Sequence, residues 1–442
     1  MVTYFLFSTV LSFQQEKKVG KEKAGNGGDV AAATRGGGAH PSGLPQKQIR
    51  RGLLSAVRGL WLRRTEGSDM SDLSDLSDLS DLSDKMPLVR QETLTGNARA
   101  SACRTGNLSD KNLNMVDTMD RELSLYSAHF QLTGRCNLAC VFCGQNKGML
   151  ASEACELPVE LWLKLAEEIR EMAAPRTPEL MLWGGEPLLY PQFDWLAAEL
   201  HKQGFKLGIV TNATLLHEHL EAVAENIDSI NVSVDGTRSG HDAMRGEGVF
   251  DKLSANLELL NLHRKGKLTF LTTVSDLNVK GISQLPFELA KLGCDEIVLQ
   301  PLMYLTEKEI DSYRTFSREN WQQDYPELAA WHREEDNAYL AELESELAVV
   351  RQTAYPIPVR FTPHRYPQMD EVAPCSAPWH RVHIRHDGEV GFCTDYFGFS
   401  AGNVKNNSLK EIFYGERAGL YRKAVNENAL STCDHCPWRR QG

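Results

Sequence analysis

From about residue 124 onward, short apolar runs alternate with longer segments whose apolar residues recur at helical spacing. The runs SAHFQLT (127–133), ELMLW (179–183), KLGIVT (206–211), SINVSV (229–234), LTFLTTV (268–274) and EIVLQPL (296–302) have the length and composition of strands. Helices are predicted between them, over roughly 158–173, 192–203, 215–225, 249–263 and 281–292. Pro158 suits a first helical turn, and Gly204 and Gly293 suit helix C-terminal caps. This alternation predicts an α/β fold with a parallel sheet and right-handed crossovers, in the form of a partial (β/α)6 TIM-like barrel spanning 124–302. In barrels of this kind chemistry gathers at the C-terminal ends of the strands. Residues 303–370 are charged and partly helical and read as a bridge and cover. Residues 371–442 read as a small cysteine-bearing tail domain.

Residues 1–117 have a different texture. They hold Gly-rich and basic stretches and a three-residue repeat, from Ser68-Asp69-Met70 through four Ser-Asp-Leu units to Ser83-Asp84. One apolar residue in three gives neither a helical stripe nor strand alternation, and repeated Ser-Asp cannot bury a core. This segment is expected to be a disordered, low-complexity extension, with Met115 and Met119 as alternative starts. Its removal to residue 110 is expected to leave activity intact. Residues 3–13 resemble a signal-peptide core, but no Lys or Arg precedes them and no small-residue cleavage site follows.

The 442 residues allow more than one domain, and a hydrophobic content of 42% allows a substantial core. A net charge of −11 argues against a general nucleic-acid binder. No apolar run reaches the length of a membrane span. The ten cysteines fall into three groups: 136, 140 and 143; 375, 393, 433 and 436; and the unassigned 103, 155 and 294. Cys294 is expected to be a buried packing residue. In a chain this long, cluster-like spacing argues for metal chemistry rather than disulfides, and so for a reducing cytoplasm.

Cys136, Cys140 and Cys143 lie within eight residues. Three closely spaced thiolates can hold a [4Fe-4S] cube with one iron left open, and a zinc site is the rival reading. Downstream, Gly184-Gly185-Glu186-Pro187 follows the second predicted strand. Thr211-Asn212-Ala213-Thr214 follows the third. Ser233-Val234-Asp235-Gly236 and then Arg245 follow the fourth. These motifs, in this order and with Phe142 before the last cysteine, resemble the radical S-adenosylmethionine (SAM) superfamily. The resemblance implies SAM bound at the open iron, contacted by Gly184, Gly185, Glu186, Pro187, Asn212, Ser233 and Arg245. An Arg fork matches a carboxylate bidentately, while a surface salt bridge is the bland alternative for Arg245. Asn212 and Asp235 also read as turn formers. Ala213 stands where relatives often carry Gly.

Cys375, Cys393, Cys433 and Cys436 resemble a SPASM domain, or its shortened twitch form, which implies an auxiliary [4Fe-4S] cluster. Structural zinc on the same cysteines is the rival. His380, His383, His386 and His435 lie near these cysteines and are expected to hydrogen-bond rather than ligate. Asp395 is a candidate catalytic base, with Tyr304 and Tyr396 as further cavity candidates. The implied reaction is reductive cleavage of SAM to a 5′-deoxyadenosyl radical that abstracts hydrogen, fed by a flavodoxin- or ferredoxin-type donor. A peptide or protein substrate is the first reading. A small alcohol of the aminocyclitol type is the alternative, and a non-enzymatic sensor or scaffold is a third.

Overall fold

A computed structural model describes residues 122–144, 156–362, 375–396, 398–434 and 436. The extension 1–117, Cys103, Cys155 and His435 lie outside the described residues.

Strand β1 (Ser127–Thr133) sets the pattern for the barrel. Its even positions Ala128, Phe130 and Leu132 are fully buried, and the Phe130 ring lies 4.8 Å from that of Trp162. Trp162 belongs to α1 (Val159–Ala173), which turns Leu165, Ala166 and Ile169 to the same side at helical spacing. The odd positions His129, Gln131 and Thr133 take the other face of the strand, as the period-2 pleat requires.

The same unit repeats through β2 (Glu179–Gly184), α2 (Phe193–Lys202), β3 (Lys206–Thr211), α3 (Leu220–Asn226) and β4 (Ser229–Ser233). Next come α4 (Arg238–Arg245), α5 (Val249–Asn261), β5 (Lys267–Val274), α6 (Leu285–Leu289) and β6 (Glu296–Pro301). Strands β1 to β6 pair in chain order, each parallel to the next. Every parallel neighbour needs a crossover, so the chain order and the helices on one face follow together. The fold is α/β with a partial barrel.

Gly204 and Gly293 both adopt left-handed φ angles, of 85° and 82°, at the ends of α2 and of the turn after α6. Two predicted helices are shorter than their patterns. The segment 215–225 becomes helical only from Leu220, because 213–219 is taken up by turns behind β3. The segment 281–292 yields only α6 and a 3-10 turn over 290–292. Pro286 has no N–H to bond back into a preceding turn, so it falls in the first turn of the helix. Helix α4 was not predicted.

The sheet continues beyond the barrel strands on both edges. Strand β7 (Val359–Phe361) pairs with β6. Between them in the chain lie α7 (Glu307–Trp321), started by a Thr306–Glu309 capping box, and α8 (Asn337–Gln352), capped by Asp336. On the other edge β8 (Arg381–Ile384) pairs parallel with β1. It carries β9 (Glu389–Gly391) and β10 (Gly402–Asn403) antiparallel beyond it. The cysteine-bearing tail therefore joins the barrel's own sheet. Its helices are α9 (Ala377–His380), α10 (Leu409–Tyr414) and α11 (Glu416–Asn426). Among the described residues no helix is long and apolar enough to cross a membrane.

Candidate active site

The chain leaves β1 through Arg135 and enters the three-cysteine loop at Cys136. Gly185 and Glu186 donate their backbone N–H groups to the carbonyls of Thr133 and Arg135, at 2.9 and 2.8 Å. A Cβ on Gly185 would stand 2.1 Å from the Arg135 carbonyl oxygen, and one on Gly184 would stand 2.6 Å from that of Thr133. The paired glycines are thus demanded by the close approach of two backbones. Arg135 is fastened in turn by Glu156, 2.7 Å from its Nε, and by the Leu189 carbonyl.

Glu186 is fully buried. Its carboxylate accepts from the Thr211 hydroxyl at 2.7 Å, the Asn212 N–H at 2.8 Å and the Leu188 N–H at 3.3 Å. Burial pushes its carboxyl up to about 7 against the pull of these hydrogen bonds. The side chain braces β2 against the exit of β3. Contact with an ammonium would use its remaining lone pairs.

The exit of β3 is tied to the cysteine loop by a second network. Asn212 Nδ2 donates to Asn137 Oδ1 at 2.9 Å, and Asn137 Nδ2 donates to the Thr214 hydroxyl at 2.8 Å. Asn212 Oδ1 also closes a turn on the Thr214 N–H. Asn212 is therefore both a turn former and a support for the residue next to Cys136. Ala213 adopts φ 63°, the left-handed region that glycine occupies freely.

Ser233 ends β4 and is buried. Two residues on, Asp235 accepts from Arg245 Nε at 2.6 Å and from the Thr273 N–H at 2.8 Å, both partners of the ion pair being buried. Burial opposes the charge on Arg245, and the Asp235 carboxylate more than offsets it, so the guanidinium stays charged. Its Nη1 points at Cys140 Sγ from 3.8 Å, and the guanidinium lies 5.4 Å from the centre of the Phe142 ring. The Met244 carbonyl accepts from the Val141 N–H. The cysteine loop is thus clamped by the C-terminal end of α4. Arg245 is a buried pair, not a surface one, and Asp235 is more than a turn residue.

The tail cysteines come together as well. Cys375, Cys393, Cys433 and Cys436 line one cavity with Asp395, Tyr396 and Arg381. Burial pushes the Cys393 and Cys436 thiols well up, and the Cys140 thiol up too, so thiolates at either site call for a cationic partner. Four sulfurs around one cavity fit a metal centre. A [4Fe-4S] cube or a structural zinc ion could each draw on these four sulfurs. His380 stacks on Tyr126, His383 packs at a tilt against Trp183, and neither lines this cavity. Asp395 is buried with Oδ1 lacking a partner, and burial raises its carboxyl to about 8.

The sequence profile of the Radical SAM superfamily matches residues 130–282, the segment that carries the three-cysteine loop, the paired glycines and Arg245. The SPASM profile, an iron-sulfur cluster-binding domain, matches residues 375–437. The chain belongs to the radical SAM superfamily. It carries a SPASM domain, and domains of both kinds bind [4Fe-4S] clusters. The chain is 29% identical over 326 residues to the AdoMet-dependent heme synthase of Methanosarcina barkeri, covering 70% of this chain and 88% of that protein. It is 25% identical over 341 residues to the tungsten-containing aldehyde ferredoxin oxidoreductase cofactor-modifying protein of Pyrococcus furiosus, covering 70% and 87%. Streptococcus suis SuiB, solved bound to S-adenosylmethionine, shares the fold with a TM-score of 0.51 at 15% identity over 71% of this chain and 72% of that one.

In this radical SAM enzyme the loop residues Val141 and Phe142 also wall a cleft of about 300 Å³. Tyr304, Trp331, Asp276 and Arg333 also line it. Tyr304 therefore faces the cleft. Tyr396 lines the tail cavity instead, with its ring edge-on to Trp331 at 5.2 Å. Cys294 is buried at the foot of β6, a packing residue as expected. Sequence reading missed Asn137, Glu156, Trp331 and Arg333, since none sits in a recognisable motif. Asp235 was visible in its motif but was read only as a turn.

Proposed function

We propose that this enzyme cleaves SAM reductively and abstracts hydrogen from a carbon of a substrate held in the cleft beside the cysteine loop. The observation that carries the reading is the buried Asp235–Arg245–Cys140 contact. It fixes the cysteine loop, the ends of β4 and β5 and a positive charge at one rim of the barrel. In this reading Cys136, Cys140 and Cys143 hold a SAM-binding [4Fe-4S] cluster, and Cys375, Cys393, Cys433 and Cys436 hold an auxiliary one. When bound, the first cluster supplies the electron that splits SAM into methionine and the 5′-deoxyadenosyl radical.

The chain's own residues do the rest. Arg245 would bind the methionine carboxylate of SAM while Asp235 keeps the guanidinium in place. Gly184, Gly185, Glu186, Pro187, Asn212 and Ser233 form the strand-end shelf on which the rest of SAM lies. Phe142, Tyr304 and Trp331 keep water away from the reacting carbon. Asp395, buried beside the tail cavity with its carboxyl raised by burial, is the group placed to hold or take a substrate proton there.

A peptide or protein side chain is the first substrate reading. It is supported by the SPASM tail and by a cleft sized for one side chain. A cofactor-like small molecule is the second, supported by the two relatives matched over most of their length. The deciding test follows 5′-deoxyadenosine formed by reconstituted enzyme on adding cell extract. Stimulation destroyed by protease supports the first reading, and stimulation that survives protease supports the second. Extract that never raises the substrate-free rate contradicts the hydrogen-abstraction reading itself.

A further inference from the structure

The cleft beside Phe142 is walled mainly by apolar and aromatic side chains, with one guanidinium set into it. That guanidinium belongs to Arg333, which pairs with Asp276, another residue of the lining. Both partners keep water access, with side chains 30% and 41% exposed. The segment that carries Arg333 is held rigidly. Leu305 N–H donates to the Trp331 carbonyl at 2.9 Å, and Arg333 N–H donates to the Leu305 carbonyl at 3.0 Å. Two backbone bonds thus lock Trp331 and Arg333 together to the chain leaving β6. Asp276 lies just beyond β5 and lines the same cleft.

A guanidinium at the rim of an apolar cleft is suited to the bidentate binding of a carboxylate or similar oxyanion. A half-exposed ion pair is worth little, so exchanging Asp276 for a ligand carboxylate costs little. Asp276 then serves as the resting partner that keeps the fork oriented between turnovers. We propose that Arg333 is the substrate-recognition residue of this enzyme, binding a carboxylate of the substrate while Trp331 packs on its apolar body. The inference rests on the reading that this cleft holds the substrate, and it narrows both substrate classes to carboxylate-bearing ones. The carboxylate belongs to an acidic side chain or C-terminus if the substrate is a peptide, and to a ring substituent if it is a cofactor-like molecule.

The test reads binding on the full chain by quenching of tryptophan fluorescence, with Trp331→Phe to assign the signal. It needs no SAM cleavage, so its failure is distinct from failure of the proposed reaction. The probes are 3-phenylpropionate and its methyl ester, and a glutamate-rich peptide and its glutamine counterpart. The acid of one pair is expected to bind and its neutral counterpart to bind at least roughly tenfold more weakly. Which acid binds identifies the source of the carboxylate. Arg333→Met should lose that preference. Asp276→Asn, which removes the competing carboxylate, should retain or tighten binding of the acid. Equal binding of acid and neutral probes, no binding of any probe, or unchanged acid affinity in Arg333→Met overturns the proposal. An Arg333→Met chain that fails to fold is replaced by Arg333→Gln, for which the same outcomes hold.

Discussion

Glu186 carries the clearest electrostatic signature of any single residue at the barrel rim. Its folded carboxyl titrates near 7, against 4.5 for the ordinary group, because burial outweighs three hydrogen bonds. A raised acid binds its proton more tightly when folded, so its contribution is fully present below about 4.5 and is lost as pH rises through about 7. The stability of the wild type relative to Glu186→Gln should therefore fall between those limits and stay level above them, as read by denaturant midpoints across pH. A rising difference would contradict the burial argument. Ala213 makes the second residue-scale point. At φ 63° it carries a strain that glycine would not. Ala213→Gly should stabilise the protein by about 0.5–1 kcal/mol, the left-handed penalty less the entropy of glycine. The departure from the family's usual Gly was visible in the sequence, but the strain was not, since φ is a property of the turn behind β3.

At the scale of elements, the barrel strands and their crossover helices were legible because period and length agree in each. SAHFQLT and KLGIVT match β1 and β3 end to end. What stayed hidden was what joins one element to another. Gly184 and Gly185 read as a ligand approach and proved also to be where two strand exits touch. Asp235 read as a turn residue and proved to link β4, β5 and α4 through the Thr273 N–H and Arg245. Such links depend on side chains meeting across long sequence gaps, which no local pattern encodes. Removing the Asp235 charge leaves Arg245 buried without a counter-charge. Asp235→Asn should cost about 3 kcal/mol in unfolding free energy and loosen the clamp on Cys140. The measurement is a denaturant titration beside iron content after gel filtration. Unchanged values for both would mean that the pair does not hold the loop.

For the molecule as a whole, the sequence pattern identified a barrel followed by a cysteine-bearing tail. It did not reveal that the tail's strand β8 lies beside β1 in the same sheet. Four residues of short strand, Arg381–Ile384, give too little alternation to be read as a barrel neighbour. This pairing puts Arg381 in the tail cavity and His383 against Trp183, so barrel and tail share one sheet. The grouping of the four tail cysteines, which line one cavity, was legible because residue type and spacing are written in the chain. The substrate cleft was not, since Phe142, Asp276 and Arg333 are brought together only by folding.

The central claim is that one chain builds two iron-sulfur centres and uses the first to cleave SAM. The most direct measurement is iron per chain and 5′-deoxyadenosine formed, on protein reconstituted without oxygen and given SAM and a strong reductant. The account predicts about eight irons and 5′-deoxyadenosine in the wild type. Cys140→Ala should abolish 5′-deoxyadenosine formation. Cys433→Ala should fall to about four irons with the first centre intact. Zinc in place of the second set of irons would contradict the tail assignment, and iron-loaded wild type that forms no 5′-deoxyadenosine would contradict the account itself.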